Sequence, residues 1–162
     1  MHPILILQLM ILLVVANGTP IAAKKVLGNA FERPLDSGAV FFDGRPLFGP
    51  SKTIRGIVLS LLATPLAASA MGLQWELGAL VAALAIVGDL FSSFVKRRMG
   101  LPPSSMALGL DQIPESLFPL VASRLLLPVT LLDILAGVMI FLVGELILSR
   151  ILFHLNLRDR PY

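Results

Sequence analysis

The chain has 162 residues, of which 56% are hydrophobic and only 14% are charged, and it contains no cysteine. Soluble domains carry about 25% charged residues. This composition, with a mean hydropathy of +0.88, therefore indicates an integral membrane protein. The lack of cysteine excludes disulfides and thiolate chemistry, and the length predicts a single transmembrane domain over residues 1–162.

Five apolar stretches are long enough to cross or nearly cross a hydrocarbon core, which takes about 20 residues per helix. They cover residues 4–16, with an extension past residues 17–20 left open, and residues 57–73, 77–95, 117–132 and 134–153. The first lacks a positively charged leader and a clean cleavage site, so we expect a retained helix rather than a signal peptide. The predicted fold class is an all-α integral membrane protein with five transmembrane helices.

The distribution of Lys and Arg predicts the orientation. Basic residues occupy the loop 17–55, the segment after the third helix and the C-terminal end, which holds Arg150, Arg158 and Arg160. The turns at 72–76 and around Asp133 contain no Lys or Arg. With five spans, the positive-inside rule places the N-terminus outside, the C-terminus in the cytoplasm and every basic loop on the cytoplasmic face of the cell membrane. The pI of about 9.8 then reflects topology and anionic headgroups, not nucleic acid.

Residues 88–98, Gly-Asp-Leu-Phe-Ser-Ser-Phe-Val-Lys-Arg-Arg, place a carboxylate in an apolar run that ends in three cations. A charge at membrane depth is costly and usually marks a functional site. Helical spacing puts Asp89, Ser92, Ser93 and Lys96 along one face. The segment therefore predicts handling of a polyphosphate at the bilayer surface.

The loop between the first two helices offers further phosphate donors, Lys52, Thr53 and Arg55, just before a helix N-terminus. It is not a Walker A loop, because the Gly-Lys-Thr core is absent. The alternative is a basic juxtamembrane loop that only binds anionic lipid.

The loop 100–115 contains Asp111 where the chain re-enters the membrane. Together, Asp89 and Asp111 could supply the two carboxylates on which a phosphate-bound Mg²⁺ depends. The alternative makes Asp111 an N-cap and Asp89 an ion-pair partner of Lys96 or Arg97.

Three other polar residues lie in or near the apolar segments. Arg124 and Glu145 are expected to pair with each other inside the bundle, and the alternative is that Arg124 reaches a lipid or nucleotide phosphate from the bundle interior. No partner is expected for His2 near the outer surface.

Residues 41–56, Phe-Phe-Asp-Gly-Arg-Pro-Leu-Phe-Gly-Pro-Ser-Lys-Thr-Ile-Arg-Gly, resemble the signature loop of the CDP-archaeol synthase family. Residues 88–100 and the Leu-Asp-Gln at 110–112 resemble its second and third motifs in the same order, and the ending Leu-Arg-Asp-Arg-Pro-Tyr resembles its C-terminus. The family is distantly similar to CDP-diacylglycerol synthase, which is longer.

The resemblance implies a reaction in which CTP and an archaeal ether lipid phosphate give a CDP-lipid and pyrophosphate, with Mg²⁺ required. It implies that Asp89 and Asp111 bind the metal and that Lys96 is catalytic. The residues implied to contact nucleotide or lipid phosphate are Lys52, Thr53, Arg55, Arg97, Ser93 and Asp43. The expected partners are CTP, a membrane lipid phosphate and the bilayer, and a homodimer is compatible with the sequence.

Two departures from the family pattern concern the acceptor. Pro50-Ser51 stands where archaeal members usually have Asp-Gly, and Pro114-Glu115 follows the Leu-Asp-Gln. A CDP-diacylglycerol synthase acting on phosphatidic acid therefore stays open as an alternative, as does a non-enzymatic scaffold or transporter with lipid-binding loops.

Overall fold

The computed structural model describes residues 1–154, which form a helical bundle. Its helices are α1 (Pro3–Leu27), α2 (Ile54–Ala70), α3 (Trp75–Arg98), α4 (Gln112–Ala122) and α5 (Leu131–His154), with a 3-10 turn at Ser123–Leu125. Within this part of the chain there is no strand, only two isolated bridges in the α1–α2 loop. The predicted all-helical class is confirmed, while Arg158, Arg160 and the C-terminal motif lie outside the described residues.

Three helices are long and apolar enough to cross a membrane, namely Pro3–Leu27, Trp75–Arg98 and Leu131–Ile151. α2 is apolar but shorter, with 17 residues. α1 continues through Gly18 and Pro20 as one helix, so the extension of the first stretch past residues 17–20 is confirmed. Pro20 lies against Gly56 of α2, where an added Cβ would come within 3.0 Å of the proline Cβ.

The predicted fourth span, 117–132, does not form one helix. α4 begins earlier, at Gln112, and ends at Ala122, so its 11 residues extend only about 16 Å. Pro128 lies shortly after the 3-10 turn and cannot donate to a helical ladder. α5 then begins at a reciprocal cap, in which the Thr130 amide donates to Asp133 Oδ2 (2.9 Å) and the Asp133 amide donates to Thr130 Oγ1 (3.2 Å).

Small residues allow neighbouring helices to approach closely, as is common in membrane bundles. A Cβ on Gly78 of α3 would lie 2.6 Å from the Cα of Pro65 in α2. A Cβ on Gly88 would lie 2.7 Å from the Cα of Glu115 in α4. The buried core between the helices is aliphatic and includes Leu9, Leu12, Leu13, Leu77, Val81 and Leu120.

The expectation that His2 has no partner is wrong. The His2 amide donates to Asp133 Oδ1 (2.7 Å), and its ring Nδ1 lies 2.9 Å from Oδ2. Asp133 is almost fully buried, so it needs these partners and Thr130 to satisfy its charge. This contact joins the first residues of α1 to the start of α5, and we call that end of the bundle the His2 end.

The expected Arg124–Glu145 pair is also not formed. Arg124 lies in the 3-10 turn and is exposed. Glu145 lies well along α5, within electrostatic range of Glu115 near the start of α4. The two residues are separated because the short α4 leaves Arg124 towards the His2 end, whereas Glu145 is nearer the opposite one. We call that opposite end, which holds Lys52 and Lys96, the basic end.

Candidate active site

The first element of the site is an ion pair between the α1–α2 loop and α3. Lys52 Nζ donates to both carboxylate oxygens of Asp89, each at 2.6 Å. Burial lowers the pKa of the Lys52 ammonium, but Asp89, Glu115 and Asp111 together outweigh that effect, so its pKa is raised. Lys52 therefore stays a cation, and it neutralises the carboxylate that the sequence singled out.

A second ion pair joins the end of α3 to the start of α4. Lys96 Nζ lies 2.6 Å from Asp111 Oδ1 and also donates to the carbonyl of Ser105 at 2.9 Å. The other Asp111 oxygen accepts the Ala107 amide at 2.8 Å. Asp111 stands at the N-cap position of α4 without making a side-chain cap bond. Its carboxylate is instead held by Lys96 and the 100–111 loop.

The two pairs lie within electrostatic range of each other. Asp111 and Glu115 both contribute to the electrostatic environment of Lys52, although Lys52 bonds to Asp89. Ser92 ties α3 to the third motif because its hydroxyl donates to the Leu110 carbonyl at 2.6 Å. The predicted stripe on α3 is thus present, with Ser92 and Ser93 buried and Asp89 and Lys96 directed to different partners.

Glu115 is a third carboxylate at this site that the sequence analysis did not assign. Its side chain is buried, with 8% exposure, and Asp89, Lys52, Asp111 and Glu145 lie within its electrostatic range. The i, i+4 spacing from Asp111 puts both acids on one face of α4, which was the available sequence signal.

Arg97 lies next to the α1–α2 loop, and two of its guanidinium nitrogens make no hydrogen bond. Its Nη2 donates to the Pro102 carbonyl at 2.9 Å, whereas its Nε and Nη1 are buried without a partner. Nη1 lies 3.6 Å from the position that a Cβ on Gly49 would occupy, and Gly49 has a φ of +96°. A side chain at residue 49 would be strained by this positive φ, which is why glycine suits the position, although its Cβ would make only an ordinary van der Waals contact with the guanidinium.

The Gly49–Lys52 stretch is held in place by Asp36, another residue that the sequence analysis missed. Its carboxylate accepts the amides of Gly38 (3.1 Å), Phe48 (2.9 Å) and Gly49 (2.9 Å). Partial burial raises the pKa of Asp36, but these amides outweigh it and lower the pKa overall. Nothing in the local sequence signals this role, because two of the amides that donate to Asp36 belong to residues 12 and 13 positions later in the chain.

Three predicted contact residues have structural partners away from the two ion pairs. Thr53 caps α2, since its hydroxyl accepts the Gly56 amide at 3.2 Å. Arg55 Nη1 donates to the carbonyls of Gly28 (3.0 Å) and Ala30 beyond α1. Asp43 Oδ1 accepts a bond from Arg98 at 2.9 Å. The structure therefore brings together Lys52, Asp89, Lys96 and Asp111, and it places Arg55 and Asp43 elsewhere on the basic end.

The fold and this site define a small helical membrane protein with cations and carboxylates gathered at one end of its bundle. Residues 3–162 match the family model described as "CarS-like: CDP-archaeol synthase". A CDP-archaeol synthase of Pyrobaculum islandicum is 33% identical over 153 residues, covering 91% of this chain and 92% of the relative. That of Pyrococcus furiosus is 39% identical over 123 residues, covering 69% and 70%.

A solved structure described as "Structural insight into an intramembrane enzyme for archaeal membrane lipids biosynthesis" is also similar. It is 32% identical, covers 86% of this chain and 91% of its own, and superposes with a TM-score of 0.66. The chain belongs to the CDP-archaeol synthase family.

Proposed function

We propose that the chain is a membrane cytidylyltransferase that converts CTP and a lipid phosphate into a CDP-lipid and pyrophosphate. Family membership supports the reaction. The observation that carries the site is the pairing of Lys52 with Asp89 and of Lys96 with Asp111 at one end of the bundle. The named relatives favour an archaeal ether lipid phosphate as the acceptor.

The residues suit this reaction because its main obstacle is repulsion between a triphosphate and a lipid phosphate. A phosphate monoester is largely dianionic at neutral pH, since its second pKa is about 6, so its oxygen needs no general base. That oxygen attacks the α-phosphorus of CTP, the bond from this phosphorus to the bridging oxygen breaks, and pyrophosphate leaves with the electron pair. Lys52, Lys96 and the unpaired nitrogens of Arg97 supply fixed positive charge for the transferred group.

A divalent cation fits the donor set. Asp89 and Asp111 offer hard oxygen ligands, but no three acidic or His side chains among the described residues converge on a site that could hold a metal alone. Mg²⁺ commonly binds through one or two carboxylates and completes its shell with phosphates and water. We propose that Asp89 and Asp111 hold Mg²⁺, which would neutralise charge on the triphosphate.

We further propose that the chain crosses the membrane five times, with the N-terminus outside and the basic end in the cytoplasm. The His2–Asp133 contact supports this because it places the starts of α1 and α5 at one end. The Lys-rich and Arg-rich loops lie at the other end, as the positive-inside rule requires. In this topology, residues 112–130 cross the bundle as α4, the 3-10 turn and an irregular segment.

The test is a transfer assay on protein reconstituted in lipid bilayers with labelled CTP and Mg²⁺. We expect CDP-lipid from an archaeal-type ether lipid phosphate and loss of turnover in Asp89→Asn. Glu76→Gln is the matched control because it removes a carboxylate from the first turn of the same helix, and it should retain activity.

Three outcomes would change the proposal. Product only from phosphatidic acid would reassign the acceptor and leave the reaction intact. No product from either acceptor would refute the proposed reaction, and full activity in Asp89→Asn would refute the proposed site.

A further inference from the structure

Residues 40–46 form a tight hairpin, which we call the aromatic hairpin. The Phe41 amide donates to the Arg45 carbonyl (2.8 Å), and the Gly44 amide donates to the Phe41 carbonyl (2.9 Å). Phe42 stands at the tip and is fully exposed, at 100%. A large aromatic ring with no protein cover at the end of an ordered turn calls for a partner outside the chain.

The hairpin packs on the outward face of α3. This face is a stripe at helical spacing whose members are exposed or partly exposed, namely Ala83, Val87, Phe91, Phe94 and Arg98. The Phe41 ring meets the Phe94 ring edge-on, with centroids 5.2 Å apart. Because α3 is long and apolar enough to cross a membrane, its outward stripe faces lipid, and the hairpin lies where that stripe reaches the basic end.

Reciprocal arginine contacts fix the hairpin to the end of α3. Arg98 Nη2 donates to the Pro46 carbonyl (2.6 Å) and Nη1 to Asp43 (2.9 Å), while its guanidinium lies 4.8 Å from the Phe41 ring centroid. In return, Arg45 Nη1 donates to the Arg98 carbonyl at 2.5 Å. The height of Phe42 relative to α3 is therefore set by bonded contacts and not by a loosely attached loop.

We propose that the aromatic hairpin is a membrane anchor, with the Phe42 ring inserted at the headgroup–acyl boundary of the leaflet at the basic end. The hairpin continues the lipid-facing stripe of α3, so Phe42 reaches the interface at the level where that stripe ends. Arg45 beside it is exposed and adds a cation that suits lipid phosphates. Anchoring here would hold the following Gly49–Lys52 stretch at a constant height above the bilayer.

The absence of cysteine makes the test direct, because Phe42→Cys can carry a single spin label without other changes. The protein is reconstituted in bilayers, and collisions of the label with oxygen and with a water-soluble nickel chelate are compared. Ile140→Cys on the exposed face of α5 is the lipid-embedded reference, and free label in buffer is the aqueous one. We expect Phe42→Cys to resemble a boundary position, with higher oxygen and lower nickel accessibility than the free label.

A second variant keeps an aromatic ring at the tip. Phe42→Trp in a Trp75→Phe background leaves one tryptophan, because Trp75 is the only one in the chain. We expect blue-shifted emission that brominated lipids quench and aqueous iodide does not. If the spin label has the accessibilities of the aqueous reference and the tryptophan emission is unshifted and quenched by iodide, the proposal is overturned.

The same samples distinguish the bilayer from two other possible partners of Phe42. A spectral change that occurs only on adding CTP would assign Phe42 to the nucleotide base and overturn the anchor. A signal that depends on the protein-to-lipid ratio would assign it to a second copy of the chain, with the same consequence. None of these readouts depends on turnover, so the anchor can fail while the proposed reaction stands.

Discussion

Replacing Lys52 with methionine should strengthen metal binding and weaken catalysis at the same time. In the nucleotide-free protein, the Lys52 ammonium contacts both oxygens of Asp89 at 2.6 Å. A divalent cation that uses Asp89 must therefore displace a cation already in place. Lys52→Met removes this competitor and also removes a positive charge that we assign to the phosphates.

The size of the effect follows from the exposure of the pair. A hydrogen bond between charged groups contributes about 1.5–3 kcal/mol when well shielded. The side chains of Lys52 and Asp89 are 21% and 36% exposed, so solvent screening places this pair near the lower end, at roughly 1–2 kcal/mol. Since about 1.4 kcal/mol of binding free energy corresponds to a tenfold change in affinity, the metal should bind about tenfold more tightly to Lys52→Met.

The assay is a Mn²⁺ titration of nucleotide-free protein in bilayer discs, followed by the signal of the free ion in electron paramagnetic resonance. Lys25→Met is the matched control, because it removes the same charge from the last turn of α1 and should leave Mn²⁺ affinity unchanged. Turnover with CTP is measured on the same samples. If Lys52→Met binds Mn²⁺ no more tightly than the unaltered protein, Asp89 is not a metal ligand that competes with Lys52, and the reasoning is refuted.

Three further predictions concern packing, loop stability and nucleotide binding. Gly88→Ala should lower the melting temperature in detergent, because its Cβ would lie 2.7 Å from the Glu115 Cα, whereas Gly144→Ala meets nothing within 4 Å and should be neutral or slightly stabilising. Asp36→Ala should lower the melting temperature at neutral pH. Since the pKa of Asp36 is lowered from 3.8, its stabilising effect is present above that pH and fades as the pH falls further, so melting curves of the two proteins should converge in acid. Arg97→Lys should raise KM for CTP more than it lowers kcat, because lysine cannot reproduce the guanidinium nitrogens that are now unpaired, and equal KM values would contradict a phosphate contact.

Hydropathy predicted the existence of most helices because each one carries its own apolar signal. It misplaced the fourth helix, because apolar length does not determine where α4 ends and α5 begins. α4 ends before the segment that contains Pro128, and the Thr130–Asp133 cap marks the start of α5. The sequence left open whether α1 continues through Pro20, because a proline in an apolar stretch can either end or kink a helix.

For the site, residue type singled out Lys52 and Asp89 as candidates but could not pair them. Their contact joins positions 37 apart, and Lys96, on the same helix as Asp89, was the nearer candidate. Asp36 was missed because its bonds form only when the loop folds back on itself. Contacts between such distant positions cannot be read from the sequence, because they form only when the chain folds.

The contact between His2 and Asp133 can form only late in the assembly of the chain. The two residues are 131 positions apart, so α1 has entered the membrane long before its partner is synthesised. Until α1 is in place, the Asp133 carboxylate keeps its bonds from Thr130 but lacks the two contacts with His2. Closure of the first helix on the start of α5 is therefore a late step of biogenesis, and a nascent chain that stops before Asp133 should keep α1 inserted but unsecured.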